Sequence, residues 1–201
     1  ERFNALYERL WSAFVARCID AEGRVLGATQ TGYALALRDL LVPPDRRERT
    51  SALFLADLEQ RGGLTTGFVG TGELLPALSS IARSDVAYRL LAKREFPSWG
   101  YMLDQGATTL WERWDAWTEA KGFANHGNVS LAHTPLGSFV PWLFDTCAGI
   151  RPSTPGFATV ALTPVPGGEL TWAEASYDSV RGRIFDPYFT TKAGGSGLGL
   201  T

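Results

Sequence analysis

The stretch "TQTGYALALRDLLVPPDRRERTSALFLADLEQRGG" (residues 29–63) decides the fold class. Thr29 is a typical N-cap residue, the apolar residues after it recur at helical spacing, and Pro43-Pro44 stop this first helix. A proline and an acid lead into a second amphipathic run, which Gly62-Gly63 close. The stretch therefore predicts two helices joined by a short proline-containing loop.

The same pattern extends to both sides of this pair. Further helices are predicted over residues 2–20, from about Gly72 after a Gly-rich loop (Leu64–Thr71), from a Ser84 cap, and along an apolar stretch up to about Cys147. Helices paired through Gly/Pro loops are typical of α-hairpin arrays, either open solenoids or closed toroids. Periodicity alone does not choose between these two architectures.

Composition changes near residue 150. The segments "FATVALTP" and "ELTWAEASYDS" alternate apolar and polar residues on either side of a Pro-Gly-Gly turn. This pattern predicts a β-hairpin or two strands of a new sheet. We therefore expect a helical domain over residues 1–149 and a β-domain that begins at residues 150–183.

Composition excludes several functional classes. The 201 residues carry a net charge of −2, which leaves no general basic surface for nucleic acid. No run approaches the roughly 18 apolar residues of a membrane span. Cys18 and Cys147 lie far apart, have no metal-ligand spacing, and are expected to be buried free thiols. No metal site or cofactor is predicted.

The stretch "GATTLWERWDAW" (residues 106–117) raises a chemical question. Glu112 lies in the most aromatic part of the chain, between Trp111 and Trp114. Either it is a solvated helix residue, paired with a base such as Arg113 beside core indoles, or the indoles line a pocket into which its carboxylate points. A carboxylate held against indoles is a candidate for acid/base chemistry.

Other catalytic signatures are absent from the sequence. The Gly-rich loop Leu64–Thr71 has no lysine and follows no strand, so it is not a phosphate-binding loop. His126 and His133 are the two histidines. Neither belongs to a zinc-binding helix, and no nucleophile elbow is present.

Several long motifs together resemble one known family. In order they are "QTGYALAL", "GGLTTGFVGTGELLPALS", "FPSWGYMLDQGATTLWERWDAW", "LGSFVPWLFDTCAGIRP", "PGF" and "PGGELTWAEASYDSVRG". This set resembles the C-terminal half of the catalytic domain of bacterial α-L-rhamnosidases, glycoside hydrolase family 78, and the start of the β-domain that follows. The resemblance covers roughly residues 1 to 183.

The resemblance implies a mainly α fold, namely a partial (α/α)6 toroid followed by the first strands of a β-sandwich domain. It implies an inverting glycoside hydrolase that cleaves terminal α-L-rhamnose, with a rhamnose-containing glycoside as its partner. Glu112 resembles the family's general base, His133 matches a histidine that lines the sugar pocket, and Trp99 and Trp111 match aromatic positions near that pocket. Around His133 the chain reads "LAHTP" where relatives usually have Asn-His-Tyr.

The resemblance also implies that a part of the enzyme is missing. The family's general acid lies in an acidic motif upstream, and nothing in this chain resembles it. We therefore expect the chain to have little or no activity alone. Its cellular compartment and its oligomeric state are not decided by the sequence.

Residues 184–201 change character again. The stretch "RIFDPYFTTKAGGSGLGLT" (residues 183–201) resembles the F and G2 boxes of histidine-kinase ATP-binding domains, with the matching residues Phe185, Phe189, Gly195, Gly197 and Gly199. The segment lacks the other boxes of such a domain and is expected to be a Gly-rich tail rather than an independent domain. Two alternatives to the hydrolase therefore remain: a partial ATP-binding module, or a helical protein that binds carbohydrate without catalysis.

Overall fold

The computed structural model describes residues 2–185 and 189–190. The chain divides into two compact units, Glu1–Gly137 and Ser138–Thr201. The first unit contains the helices α1 (Arg2–Cys18), α2 (Gln30–Arg38), α3 (Pro44–Gln60), α4 (Phe68–Ser80), α5 (Ser84–Ala92) and α6 (Trp99–Asp104), followed by the short antiparallel pair β1 (Trp117–Thr118) and β2 (Gly122–Phe123). The protein is mainly helical, as predicted.

The second unit begins with helical turns and continues as strands. Its elements are α7 (Val140–Trp142), a π-helical turn (Leu143–Cys147), β3 (Ile150–Pro152), β4 (Val160–Leu162), β5 (Trp172–Ala173), β6 (Ser176–Ser179), β7 (Gly182–Phe185) and β8 (Phe189–Thr190). The helical prediction up to Cys147 is confirmed.

The β-hairpin that the sequence offered as one of two alternatives does not form. The two predicted strands do not pair with each other, because β4 pairs with β3 and β6 pairs with β7, both antiparallel. Each strand therefore has a partner that lies outside the two segments quoted from the sequence. The alternation of apolar and polar residues indicated where strands form but contained no information about their partners.

The core of the first unit lies between α2, α3 and α4. Phe54 of α3, Leu37 of α2 and Leu74, Leu75 and Leu78 of α4 have no exposed surface. The Thr31 side chain of α2 packs closely on Gly70 of α4, where an added Cβ would lie 2.9 Å from the Thr31 Cβ and closer still to its hydroxyl. This glycine, which resembles a loop signal in the sequence, instead permits helix packing.

The helix pair predicted over residues 29–63 is confirmed in its main features. Thr29 caps α2, because its side-chain hydroxyl accepts a hydrogen bond of 3.1 Å from the Gly32 amide. Pro44 is the first residue of α3. The end of α2 differs from the prediction, since the helix stops at Arg38, before the prolines, and Leu40 has a φ of +56°.

The start of α4 also differs from the prediction. The helix begins at Phe68 instead of near Gly72, so the second half of the Gly-rich segment is helical. The amides of Gly70 and Thr71 both donate to the Gly67 carbonyl at 3.1 Å, and the Thr71 hydroxyl donates to the same oxygen at 2.8 Å. These hydrogen bonds stabilise the first turn although it contains Gly70.

Two smaller predictions were wrong. Ser84 is the first residue of α5 and not its cap, because Arg83 occupies the N-cap position. Cys18 is half-buried at the end of α1, whereas Cys147 is a buried free thiol as expected. The incomplete burial of Cys18 is shared by the whole of α1, none of whose residues is buried.

Helix α1 leaves its apolar face uncovered. Phe3 is 82% exposed, and Leu6, Tyr7 and Leu10 are 47%, 51% and 62% exposed. Helical spacing places these side chains along one stripe. No helix among the described residues is both long enough and apolar enough to cross a membrane.

The predicted ATP-binding-like tail is described only in part. Residues 184–185 belong to β7, and residues 189–190 form β8, which pairs with β5. The glycines Gly195, Gly197 and Gly199 lie outside the described residues.

Candidate active site

Glu112 does not lie on a helix. Residues 110–116 run as bends and turns between α6 and β1. Trp111 and Trp114 are 3% and 8% exposed, whereas Glu112 between them is half-buried. The buried indoles on both sides anchor the turn, and the carboxylate stays at its surface.

Two hydrogen bonds join Glu112 to Ser130. The Glu112 amide donates to the Ser130 carbonyl at 2.9 Å, and the Ser130 amide donates to Oε2 of the Glu112 carboxylate, also at 2.9 Å. Within the described part of the chain, Oε2 is the carboxylate oxygen that takes part in a hydrogen bond. Oε1 therefore has lone pairs available for another donor, such as a water molecule.

The segment that contains His133 lies beside the segment that contains Glu112. The His133 amide donates to the Leu110 carbonyl at 2.8 Å, and the Thr109 hydroxyl donates to the Leu131 carbonyl. Together with the Glu112–Ser130 pair, these bonds hold residues 109–112 against residues 130–133. His133 and Glu112 are thus held in neighbouring backbone segments although they lie 21 positions apart in the sequence.

His133 also contacts the first turn of α4. Its imidazole packs against the phenyl ring of Phe68 with ring centroids 5.5 Å apart and an interplanar angle of 70°. This is the edge-to-face geometry that aromatic pairs favour. The contact brings a third segment of the chain, residues 66–68, to the same place.

Two buried indoles connect these segments through hydrogen bonds to backbone carbonyls. The Trp114 Nε1–H donates to the Thr66 carbonyl at 2.8 Å, and the Trp99 Nε1–H donates to the Leu136 carbonyl at 2.7 Å. The two rings meet edge to face with centroids 5.2 Å apart. With exposures of 7% for Trp99 and 3% for Trp111, either indole could offer only an edge to a sugar in this conformation.

Arg113 is not paired with Glu112. Its guanidinium donates from Nε and Nη2 to the two carboxylate oxygens of Asp115, at 3.0 and 3.1 Å. These hydrogen bonds to Asp115 are the main reason that the pKa of Arg113 is raised above its ordinary value. The ordinary Glu–Arg surface pair that the sequence left open therefore does not form, and Glu112 keeps its carboxylate for other contacts.

Gln30, the first residue of α2, holds the loop that leads to Phe68. Its side chain is 2% exposed. Nε2 donates to the Gly63 carbonyl at 2.8 Å, and Oε1 accepts from the Thr65 amide at 2.8 Å. Because both ends of the amide are used, the loop 63–65 has one defined position relative to α2.

Sequence reasoning missed Ser130, Gln30 and Phe68. Nothing in the sequence pairs Ser130 with Glu112, since the contact depends on how two irregular loops meet. Phe68 offered a signal, because it is a large apolar residue in a Gly- and Thr-rich segment. Among the described residues, no group of three or more His, Cys, Asp or Glu side chains is arranged to hold a metal ion.

Comparison with known proteins identifies the family. The family model of the bacterial α-L-rhamnosidase six-hairpin glycosidase domain matches residues 1–147. The chain belongs to the bacterial α-L-rhamnosidase family. The model of the α-L-rhamnosidase C-terminal domain matches residues 149–192. The predicted end of the resemblance near residue 183 is therefore wrong, because residues 184–192 of the expected tail belong to this match.

Individual rhamnosidases align with most of the chain. An α-L-rhamnosidase of Streptomyces avermitilis is 40% identical over 183 residues, which cover 90% of this chain and 18% of the relative. Relatives from Formosa agariphila and Alteromonas sp. are 34% and 33% identical over 90% and 100% of this chain, and 20% and 22% of their own lengths. The chain therefore spans about a fifth of the length of the curated relatives that it matches.

Solved structures of the family share the fold. The crystal structure of Streptomyces avermitilis α-L-rhamnosidase complexed with L-rhamnose superposes with a TM-score of 0.91 at 39% identity, covering 96% of this chain and 19% of that one. The native enzyme from Aspergillus terreus gives a TM-score of 0.86 at 30% identity, covering 92% of this chain and 22% of that one. The family is a family of glycosidases, and its mainly α architecture with a following C-terminal domain agrees with the fold predicted from the sequence.

Proposed function

We propose that this chain supplies the general base of an inverting α-L-rhamnosidase, and that Glu112 is this base. The proposal rests on the burial and the hydrogen-bond partners of the Glu112 carboxylate. It is half-buried between two anchored indoles, one of its oxygens accepts the Ser130 amide, and the neighbouring cation Arg113 is bound to Asp115 instead. A carboxylate that is fixed by one oxygen and available at the other can hold and deprotonate a water molecule.

The reaction needs a second carboxyl group. In inverting glycosidases the two groups stand about 6.5–9.5 Å apart, which leaves room for the attacking water. The water oxygen forms a bond to C1 of the sugar while Glu112 takes its proton. The bond from C1 to the leaving oxygen breaks, and that oxygen receives a proton from a carboxylic acid on the opposite face.

The general acid is expected outside this chain. The nearest acid in sequence to Glu112 in the same loop, Asp115, has both carboxylate oxygens engaged by the Arg113 guanidinium. The chain also spans about a fifth of its curated relatives. We therefore expect the chain alone to hydrolyse aryl rhamnosides at least 10²-fold more slowly than a complete enzyme, the typical loss when one acid/base group is missing.

A rhamnose-containing glycoside is the proposed substrate, and His133 is the proposed polar contact to the sugar. It is half-buried, and its backbone is held beside the Glu112 loop. Trp99 and Trp111 are proposed to contribute to the wall of the sugar pocket through the edges that their burial leaves. L-rhamnose occupies the Streptomyces avermitilis enzyme in its crystal structure.

The test uses a hybrid enzyme, defined here as the Streptomyces avermitilis relative with its aligned segment replaced by residues 2–185 of this chain. Glu112→Gln should lower the turnover of 4-nitrophenyl α-L-rhamnopyranoside by about 10² to 10⁴-fold while the affinity for rhamnose persists. Azide, which needs no base, should restore turnover and yield the glycosyl azide of inverted configuration. The matched control is Glu119→Gln, which changes an exposed acid seven positions away.

Two results would contradict the proposal. Unchanged turnover of the Glu112→Gln hybrid would remove Glu112 from the reaction and would favour a protein part that binds carbohydrate without catalysis. A product of retained configuration would exclude the inverting mechanism.

A further inference from the structure

Phe68 is an apolar side chain in an unusual position. It is the first residue of α4 and 44% of it is exposed, although the rest of the helix buries leucines. The Phe68 ring contacts the His133 imidazole edge to face, and their centroids lie 5.5 Å apart. A large part of the phenyl surface therefore remains available for another apolar group.

Three contacts place Phe68 at the loops of the proposed active site. The carbonyl of Thr66, two residues earlier, accepts the Trp114 indole N–H at 2.8 Å. The His133 ring touches Phe68, and the His133 amide donates to the Leu110 carbonyl at 2.8 Å. The loop with Glu112, the loop with His133 and the start of α4 therefore meet at one place.

The chemistry of the proposed sugar calls for an apolar contact there. Rhamnose is a 6-deoxy sugar, so its C5 carries a methyl group where L-mannose carries a hydroxymethyl group. The methyl carbon is separated from the reacting C1 only by C5 and the ring oxygen. A sugar whose C1 lies next to Glu112 therefore has its methyl group nearby, and burial of a methyl group against an apolar surface is favourable.

We propose that Phe68 forms the apolar contact for the C5 methyl group of the sugar and thereby selects 6-deoxy sugars. This inference rests on the proposed function, because it takes rhamnose to bind beside Glu112. The phenyl ring gains contact area with a methyl group, whereas a hydroxymethyl group at the same place loses hydrogen bonds to water. Apolar sites discriminate against one added hydroxyl by about 10²-fold.

Selectivity is measured first with the hybrid enzyme. The quantity is the ratio of kcat/KM for 4-nitrophenyl α-L-rhamnopyranoside to that for the corresponding α-L-mannopyranoside. Phe68→Ala should lower this ratio by about tenfold, mainly by raising KM for the rhamnoside, and Phe68→Leu should keep most of it. The control is Phe96→Ala, another exposed phenylalanine in an edge-to-face pair, with Tyr101.

A second measurement uses the 201-residue chain itself. In saturation-transfer difference NMR with methyl α-L-rhamnopyranoside, the C5 methyl protons should receive the strongest saturation of the sugar. Phe68→Ala should reduce the methyl signal relative to that of H1, and Glu112→Gln should leave it in place. Because this readout involves no turnover, a failure of the general-base proposal and a failure of the Phe68 contact give different results.

The proposal is overturned by either of two findings. One is an unchanged ratio of kcat/KM for the rhamnoside to kcat/KM for the mannoside in the Phe68→Ala hybrid. This includes a variant that lowers the Tm of the hybrid without changing the ratio, which would mean that the ring packs only against protein. The other is a sugar spectrum in which the methyl group is not preferentially saturated, or in which no sugar signal is saturated at all.

Discussion

Glu112 and Ser130 are joined by two hydrogen bonds. The Glu112 amide donates to the Ser130 carbonyl at 2.9 Å, and the Ser130 amide donates to Glu112 Oε2, also at 2.9 Å. The first bond joins two loop backbones, and the second orients a side chain on that joint. The position of the carboxylate is thereby linked to the position of the loop that carries His133. A substitution that moves one of these two loops should therefore also move the other.

Shortening the Glu112 side chain should therefore lower the activity even when the negative charge is kept. Glu112→Asp keeps a carboxylate, but it cannot reach the Ser130 amide and the attacking water from the same backbone position. A misplacement of about 1 Å costs on the order of 10²-fold in rate. In the hybrid enzyme we expect kcat to fall by about this factor with little change in rhamnose affinity, as measured by steady-state kinetics and by calorimetric titration. Glu119→Asp is the control, and a fall of similar size there would count against a specific role for the Glu112 carboxylate.

Gln30 should be important for stability although it lies far from Glu112 in the sequence. Gln30→Met keeps the size of the side chain but leaves the Gly63 carbonyl and the Thr65 amide without their partner. The Gly63 carbonyl is buried, and a buried group left unpaired costs roughly 1–3 kcal/mol, whereas the Thr65 amide lies in a part-buried bond and should contribute less. Urea unfolding of the chain should show this loss, and hydrogen exchange at the Thr65 amide should be faster.

The control for Gln30 is Gln60→Met on α3, where the side chain is exposed. It should change the free energy of unfolding by less than about 0.5 kcal/mol, as is usual for surface positions. Equal effects at both positions would mean that the loop 63–65 does not depend on the Gln30 amide.

Asp85 should make stability depend on acid pH. Arg83 donates two hydrogen bonds to its carboxylate, at 2.8 and 2.9 Å, and chiefly through these bonds the pKa of Asp85 falls from its ordinary value of 3.8 to about 2. Because the folded state has the lower pKa, the stabilisation is fully present above about pH 4 and is lost as the pH falls towards 2. Both side chains are partly exposed, so the pair contributes no more than about 1 kcal/mol.

The test for Asp85 is the free energy of unfolding of Asp85→Asn between pH 2 and pH 7. The variant should be slightly less stable at pH 7, and the difference from the original chain should vanish near pH 2. Asp45→Asn, an exposed acid in the first turn of α3, serves as the comparison. A difference for Asp85→Asn that stays constant across this range would refute the role of its ionised form.

The uncovered face of α1 should make the chain self-associate. Exposed apolar patches on proteins bind other apolar surfaces. We expect the sedimentation coefficient of the chain to rise with concentration, and the double variant Leu6→Glu and Leu10→Glu to suppress this rise. The matched control places the same two charges at Leu26 and Leu40, which are 72% and 64% exposed. Equal suppression by both variants would show that net charge and not the α1 face controls association.

Local patterns were sufficient for much of the helical part. The apolar spacing of α1, the Thr29 cap of α2 and the Pro44 start of α3 depend on residues within one or two turns of each other, so the sequence predicts them directly. The start of α4 was missed because Gly70 looks like a loop residue. Its reason is a close approach to Thr31 of α2, a contact between residues that are distant in the sequence.

By itself the sequence determined the helical class, the approximate helix positions, the family resemblance and Glu112 as the candidate base. The tertiary structure alone decided that Glu112 lies in a loop, that Ser130 binds its carboxylate, that Arg113 pairs with Asp115, and that Phe68 meets His133. The physical reason is the range of the interactions. Helix propensity and capping act over a few residues, whereas these loops have no regular hydrogen-bond pattern of their own and take their positions from contacts with distant segments.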